Sequence, residues 1–334
     1  MKNKKSFGLF QGRLARSMFF LVIIVMFGWG PSVNAEVRVA DFLEWATPLQ
    51  IAKVEKTYDK VIGEKVSWSF YSSGGEMTEA LINGEVDIAY AQGMLPFVTA
   101  INKGLPIKMV GIALTYKGGT DCMVRNALGI TKDNAKELEG KKLAVPFNTM
   151  ADFDMRMTMR HLGVDLNKVD VINAPAADVA YLFLETEVDV ACNFGKNSLS
   201  KMKRIGKPLL THAEKGEAGM LFLDIITVNE KFAEEKPEAL RRFLKVTAEA
   251  NAAFARDKSK IDIIANDAGL SVERAMEQIT KDFYFPTVEE QFKSFFSDDG
   301  HATTQLPFMG KLFATDEFPA KSDYSKYIDT SFLK

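Results

Sequence analysis

The chain has 334 residues, of which 47% are hydrophobic and 26% charged, with 42 basic against 44 acidic side chains. This nearly balanced, mixed charge argues against nucleic acid or an anionic membrane surface as the partner. Its length and hydrophobic content are sufficient for about two domains, each with its own core.

The first 35 residues have the layout of a secretory signal peptide. Five basic residues and no acid precede an apolar run from Met18 to Phe27, and helix-breaking Gly and Pro residues follow it. The run is ten residues long, whereas a bilayer-spanning helix needs roughly 20. We therefore predict cleavage after Ala35 and a periplasmic product of 299 residues with a formal charge of −7.

Behind this segment, short apolar strands alternate with helices. Val37–Ala40 predicts a strand, and Thr47-Pro48 is typical of a helix start. Strands that alternate with helices favour βαβ units and a mostly parallel sheet. In chain order, the pattern predicts further strands at 66–71, 86–90, 107–114, 142–147, 169–173 and 188–193. It predicts helices at 51–62, 76–82, 152–162 and 178–185, and another that follows Gln92-Gly93 and has Pro96 near its first turn.

Two segments interrupt this alternation, and we expect them to be the strands that join two lobes. They are Asp121–Arg125 and Met220–Val228, and the chain after the second is mainly helical, with helices predicted at 238–256, 262–268 and 272–283. The result is an α/β protein with a discontinuous first lobe. The predicted divisions are 1–35 for the signal peptide, 36–123 and 221–334 for the first lobe, and 124–220 for the second lobe.

The sequence offers no residues for catalysis, a cofactor or a metal. It contains no phosphate-binding loop, dinucleotide fingerprint or G-x-S-x-G motif, and its three His are far apart. Cys122 and Cys192 lie in apolar, strand-like runs. Export permits a disulfide, but we expect two free, buried thiols, because Cys is a common core residue.

Polar and aromatic side chains gather in the loops that follow predicted strands, and such loops line the ligand crevice of open α/β sheets. Helix N-termini after Ser73, Gln92 and Thr149 would offer N–H groups to an anion. Asp224 lies in an apolar strand, where burying an unpaired carboxylate costs free energy. Together with Glu44 or Asp152, it could hold an ammonium group of the ligand. The candidate binding residues are Asp41, Phe42, Glu44, Trp45, Ser73, Gln92, Gly93, Thr149, Asp152, Phe153, Asn193, Phe194 and Asp224.

The same residues also have structural interpretations. Asp224 could cap or pair with a structural Lys or Arg, and Phe42 and Trp45 could belong to the core. Asp152 could be only a helix N-cap, and Ser73 only a turn residue. If they do form a site, aromatic faces around an acid suit a cation, so the set predicts a small zwitterionic ligand.

Stretches throughout 37–332 resemble the taurine-binding proteins of bacterial ABC transporters, within the nitrate/sulfonate/taurine solute-binding family. They include FLEWATP at 42–48, SGGEMTEAL at 73–81, AQGMLPFV at 91–98, LEGKKLAVPF at 138–147, AEKGEAGMLFLD at 213–224 and YSKYIDTSF at 324–332. The resemblance implies a two-lobed periplasmic-binding-protein fold (type II). It also implies a monomer that holds taurine between its lobes and delivers the taurine to an ABC permease and its ATPase. It also implies that Asp224 binds the ammonium and that loops at Gln92-Gly93 and 149–153 face the sulfonate.

The chain departs from the enterobacterial members at its loops. Gln92-Gly93-Met94-Leu95 stands where they carry two serines, and Phe194-Gly195-Lys196 stands where they have Trp-Ala-Pro. With fewer hydroxyls and more acids, a binder of another small amine or a thiamine-type pyrimidine remains an alternative. An enzyme that makes this pyrimidine is a third hypothesis, against which the signal peptide and the scattered His residues argue.

Overall fold

The computed structural model describes residues 36–42, 45–116 and 119–334. The predicted signal peptide and Glu44 lie outside the described residues. Among those that are described, no helix combines the length and the apolar character that a bilayer span requires.

The first lobe is built on a six-stranded sheet in the order β11-β4-β10-β3-β1-β2. Its strands are β1 (Glu36–Phe42), β2 (Lys65–Tyr71), β3 (Ile88–Gly93), β4 (Ile107–Tyr116), β10 (Phe222–Asn229) and β11 (Phe283–Tyr284). Strand β1 runs parallel to β2 and β3, whereas β10 runs antiparallel to β3 and β4. Its helices are α1 (Leu49–Val54), α2 (Thr57–Ile62), α3 (Gly74–Ile82), α4 (Met94–Asn102), α9 (Glu230–Glu235), α10 (Pro237–Arg256), α11 (Ile261–Asp267), α12 (Val272–Glu277), α13 (Val288–Glu290) and α14 (His301–Leu312).

The second lobe is built on a five-stranded sheet. Its elements are β5 (Thr120–Arg125), β6 (Lys142–Val145), β7 (Asp170–Asn173), β8 (Val190–Phe194), β9 (Gly206–Pro208), α5 (Met150–His161), α6 (Ala176–Leu184), α7 (Lys196–Met202) and α8 (His212–Glu217). The strand order is β7-β6-β8-β5-β9. Strand β6 runs parallel to β7 and β8, and β5 runs antiparallel to β8 and β9.

The chain crosses between the two sheets twice, between β4 and β5 and again between α8 and β10. The predicted α/β, two-lobed fold with a discontinuous first lobe is confirmed. The expected boundary between 123 and 124 falls inside β5, whose residues pair only within the second sheet. Because β4 and β5 are both apolar and buried, their hydrophobic pattern did not indicate where one sheet ends.

Helix α10 shows how local sequence sets these elements. Pro237 occupies its first turn, where the missing N–H removes no helical hydrogen bond. Leu240, Phe243, Leu244 and Thr247 recur at helical spacing and are all buried against the first lobe. The single helix predicted over 51–62 is instead two helices, α1 and α2, because the chain takes a left-handed conformation at residue 56, with φ 54°.

The expectation of two free thiols is wrong. Cys122 and Cys192 form a disulfide with an S–S distance of 2.02 Å. They lie directly opposite each other on the antiparallel strands β5 and β8, and both are buried. Side chains of directly opposed residues lie on the same face of a sheet, a few ångströms apart, and that pairing is not visible in two cysteines 70 residues apart.

Candidate functional site

A pocket opens between the two lobes and encloses about 340 Å³ of space, solvent at its mouth included. The first lobe contributes Phe42, Trp45, Gly74, Ala91, Gly93, Pro96, Tyr116 and Asp224, and the second contributes Thr120, Thr149, Met150 and Phe194. Six of the predicted binding residues are therefore brought together: Phe42, Trp45, Gly93, Thr149, Phe194 and Asp224.

Asp224 is the acid of this pocket. It lies on β10 opposite Gly93 and is only 3% exposed. The Trp45 indole Nε1–H donates to its Oδ2 at 2.6 Å, and the Tyr116 hydroxyl is a second hydrogen-bond partner. No Lys, Arg or His in the described ranges forms an ion pair with it. Burial raises the pKa of Asp224 to about 7, although the two hydrogen bonds partly oppose the shift.

Aromatic rings surround this carboxylate. Trp45 packs edge-on against Phe42 at 5.0 Å and against Tyr116 at 6.0 Å between ring centroids. Phe194 of the second lobe lies 5.9 Å from Phe42, so the aromatic wall crosses the cleft. The carboxylate attracts a cation through its charge, and the ring faces beside it attract a cation through their quadrupole.

Three helices begin at the wall of the pocket, and each is at least nine residues long. They are α3 at Gly74, α4 after Gly93 and α5 after Thr149. Within the described residues, the Gly93 and Thr149 caps make no side-chain hydrogen bond to their helices. The first N–H groups of a helix and its dipole attract anions, so this side of the pocket suits a negative group.

Three of the predicted polar residues make structural contacts instead. The Asp41 carboxylate is buried and lies 3.2 Å from Lys53 Nζ, which removes it from the pocket. Gln92 is buried and bonds with its amide to Thr78 and Thr227. Asp152 pairs with Arg156 at 2.9 Å and accepts from the Asn148 N–H, so it stabilises the first turn of α5.

Three other predicted residues also lie outside the pocket wall. The Ser73 hydroxyl accepts from the Glu76 N–H and is the N-cap of α3. The Asn193 amide donates to the Ala176 carbonyl at 2.8 Å. Phe153 is buried and packs edge-on against Phe222. Each positions a neighbouring element of the site, and for Ser73 the sequence also allowed a structural interpretation.

Six residues of the wall are absent from the predicted set of binding residues: Gly74, Ala91, Pro96, Tyr116, Thr120 and Met150. Tyr116 ends β4, so the rule that ligands bind beyond strand ends could have found it. Ala91 has φ 59°, which is unusual for a non-glycine residue and is frequent at functional sites. No signal in the sequence indicates that Met150 reaches across the cleft.

Comparisons with known proteins identify the family of the chain. The family described as NMT1/THI5 like matches residues 47–260. The taurine-binding periplasmic protein of Escherichia coli (strain K12) is 25% identical over 205 residues, which are 61% of this chain and 62% of that protein. A candidate aliphatic sulfonates-binding protein of Bacillus subtilis (strain 168) is 26% identical over 307 residues, covering 90% of this chain and 87% of the relative.

Solved structures show the fold. The periplasmic aliphatic sulphonate binding protein SsuA from Escherichia coli superposes with a TM-score of 0.68 at 16% identity, covering 87% of this chain and 91% of that one. The alkanesulfonate-binding protein SsuA from Xanthomonas axonopodis pv. citri, bound to MOPS, gives 0.66 at 16% identity, with 88% and 98% covered. These relatives and neighbours are named as binding proteins and not as enzymes. The chain belongs to the NMT1/THI5-like family and has the two-lobed fold of periplasmic binding proteins.

Proposed function

We propose that this protein is the periplasmic solute-binding component of an ABC importer and that it binds taurine or a related small aminosulfonate. The observation that carries the proposal is the buried Asp224 carboxylate, which has hydrogen-bond donors but no cation beside it among the described residues. A buried carboxylate without a counter-charge is unfavourable, and an ammonium on the ligand would supply that charge.

The opposite pole of the ligand would be the sulfonate. The N-termini of α3, α4 and α5 converge on the same pocket, and two of them lack a side-chain cap in the described structure. A sulfonate presents three acceptor oxygens, which several helix N–H groups can satisfy without Arg. One acid at one pole and helix N-termini at the other thus match a small zwitterion.

The lobes would close around this ligand by a rotation at the two crossings between the sheets. Contacts between the lobes already exist, since Asn148 of the second lobe accepts from the Thr99 hydroxyl of the first at 2.7 Å. Closure removes the ligand from water, which strengthens both charged contacts. Export through a cleavable signal peptide, a monomeric state and delivery to a cognate permease and ATPase complete the proposal.

The aromatic wall supports one alternative, a binder of another small amine or a thiamine-type pyrimidine. Trp45, Tyr116, Phe42 and Phe194 make the pocket more apolar than a sulfonate alone requires. In such a ligand the cationic or ring group would lie against Asp224, and the helix N-termini would have no charged partner.

The deciding experiment is a thermal-shift screen followed by calorimetry on the purified exported protein. The panel pairs taurine with ethanesulfonate, which lacks the ammonium, and with ethylamine, which lacks the sulfonate; it also contains polyamines and an aminopyrimidine. A ligand that binds only the folded state raises Tm by mass action. We expect a clear shift with taurine and much smaller shifts with both truncated analogues. A shift with amines or the pyrimidine, without one for taurine, would favour the alternative.

A further inference from the structure

Gly93 and Met150 face each other across the cleft. Gly93 ends β3 in the first lobe, and Met150 begins α5 in the second. A Cβ atom placed on Gly93 would lie 2.8 Å from Met150 Cγ and 3.7 Å from Asp224 Oδ1. The Met150 side chain therefore fills the space directly over Gly93, beside the acid of the pocket.

The backbone does not require glycine at residue 93. Its φ of −60° and ψ of 144° are angles that any residue adopts. A methyl group there meets the middle of the Met150 side chain, closer than carbon atoms normally approach. The absent side chain of Gly93 is therefore explained by the space that Met150 takes.

Met150 lies on a helix of the second lobe, but its side chain packs in the core of the first lobe. It is 5% exposed and lies within the apolar cluster of the first lobe, together with Met94 and Leu95 of α4. Its backbone starts α5, one of the proposed sulfonate-binding helices, while its side chain lies over Gly93, the residue that pairs with Asp224 in the first sheet. The side chain therefore lines the pocket where the start of α5 meets the strands that carry Gly93 and Asp224.

We propose that Met150 sets the length of the ligand and that Gly93 is the position that admits it. This rests on the proposed function, in which Asp224 and the helix N-termini hold opposite ends of one molecule. With Met150 in place, the pocket takes an aminosulfonate with two carbons between nitrogen and sulfur and excludes longer ones. One methylene in an apolar pocket changes affinity by roughly 10–200-fold, so a single side chain is enough for this selection.

The first test measures Kd by calorimetry for taurine and its three-carbon homologue, 3-aminopropanesulfonate. In the M150A protein we expect the preference for taurine to fall at least about tenfold, because the longer ligand gains room. The M150L protein, with similar side-chain volume, should keep the original preference. The matched control is M155A, a methionine of the same helix that is buried in the core of the second lobe and does not line the pocket.

The second test uses the reciprocal change. We expect G93A to weaken taurine binding at least about tenfold, and the G93A/M150A double variant to regain most of that loss, with Tm of the ligand-free proteins showing that each variant folds. Wild-type protein that binds no aminosulfonate would overturn both the proposed function and the length rule. Wild type that binds taurine, with an unchanged preference in M150A or no rescue in the double variant, would overturn the length rule alone.

Discussion

The indole Nε1–H of Trp45 donates a 2.6 Å hydrogen bond to Asp224 Oδ2, joining residues that are 179 positions apart in the chain. Trp45 comes shortly after β1, the first strand of the first lobe. Asp224 lies on β10, the strand by which the chain re-enters the first lobe from the second. The bond therefore connects the N-terminal part of the first lobe to the strand that re-enters it. It also orients a carboxylate that has no positive partner among the described side chains.

Replacing Asp224 with Asn should abolish strong binding of an ammonium ligand. The change keeps the side-chain shape and an oxygen for the Trp45 bond, but it removes the charge. Loss of one partner from a buried, hydrogen-bonded charge pair costs about 2–5 kcal/mol of binding free energy. Calorimetry with taurine measures the loss, and an unchanged Kd would show that Asp224 does not bind the ammonium.

Ligand affinity should rise with pH up to about 7. An ammonium binds the ionised carboxylate, and the pKa of Asp224 in the free protein is raised to about 7 by burial. Below that value a proton must leave before the ligand binds, so affinity falls by up to about tenfold per pH unit. Titrations from pH 5 to 8 should show this slope in the wild type and a flat profile in D224N; a flat wild-type profile would contradict the assignment.

The stability of the ligand-free protein should change with pH in the opposite direction. The folded-state pKa of Asp224 lies above its ordinary value of 3.8, so the folded state binds more protons between about pH 4 and 7. The contribution of Asp224 to the free energy of unfolding therefore falls as pH rises through that window. Asp41, whose pKa burial raises to about 6, acts with the same sign. Urea unfolding of wild type and D224N at pH 5 and 8 separates the contribution of Asp224 from that of Asp41.

Lys196 should strengthen binding without touching the ligand. Its Nζ lies 3.0 Å from Asp282 Oδ2 and 3.0 Å from Glu277 Oε2, which joins α7 of the second lobe to the C-terminal part of the first. Opening the lobes breaks both pairs, and such partly exposed pairs contribute up to about 1 kcal/mol each. K196Q should therefore raise Kd several-fold, and less so at high salt. The control K132Q removes a pair with Glu214 that lies within the second lobe and should leave Kd unchanged.

The Cys122–Cys192 disulfide should stabilise the second lobe and leave the affinity unchanged. It closes a loop of 70 residues, for which the chain-entropy account gives about 4 kcal/mol. C122A/C192A should lower the urea midpoint and keep the taurine Kd measured below that midpoint. A weaker Kd in the folded double variant would instead connect the disulfide to the shape of the pocket.

The outcome for particular residues shows which information is local. Pro237 and the apolar spacing behind it predicted α10 almost to the residue, because caps and periodicity act within a few positions. Asp224 attracted attention because it interrupts an apolar strand. Asp41, Gln92 and Asn193 also lie in mainly apolar strands, yet their partners Lys53, Thr227 and Ala176 make them structural groups. No pattern in one sequence distinguishes these two outcomes.

The sequence by itself determined the alternation of strands and helices, the two lobes and the position of a carboxylate within an apolar strand, since each depends on neighbouring residues and on hydrophobic periodicity. Only the tertiary structure decided where the chain crosses between sheets, that Cys122 meets Cys192, and that Met150 of one lobe fills the space above Gly93 of the other. The physical reason is that these are distances between residues far apart in the chain. They depend on sheet register and on how closely the lobes approach each other, and neither can be predicted from the local sequence pattern.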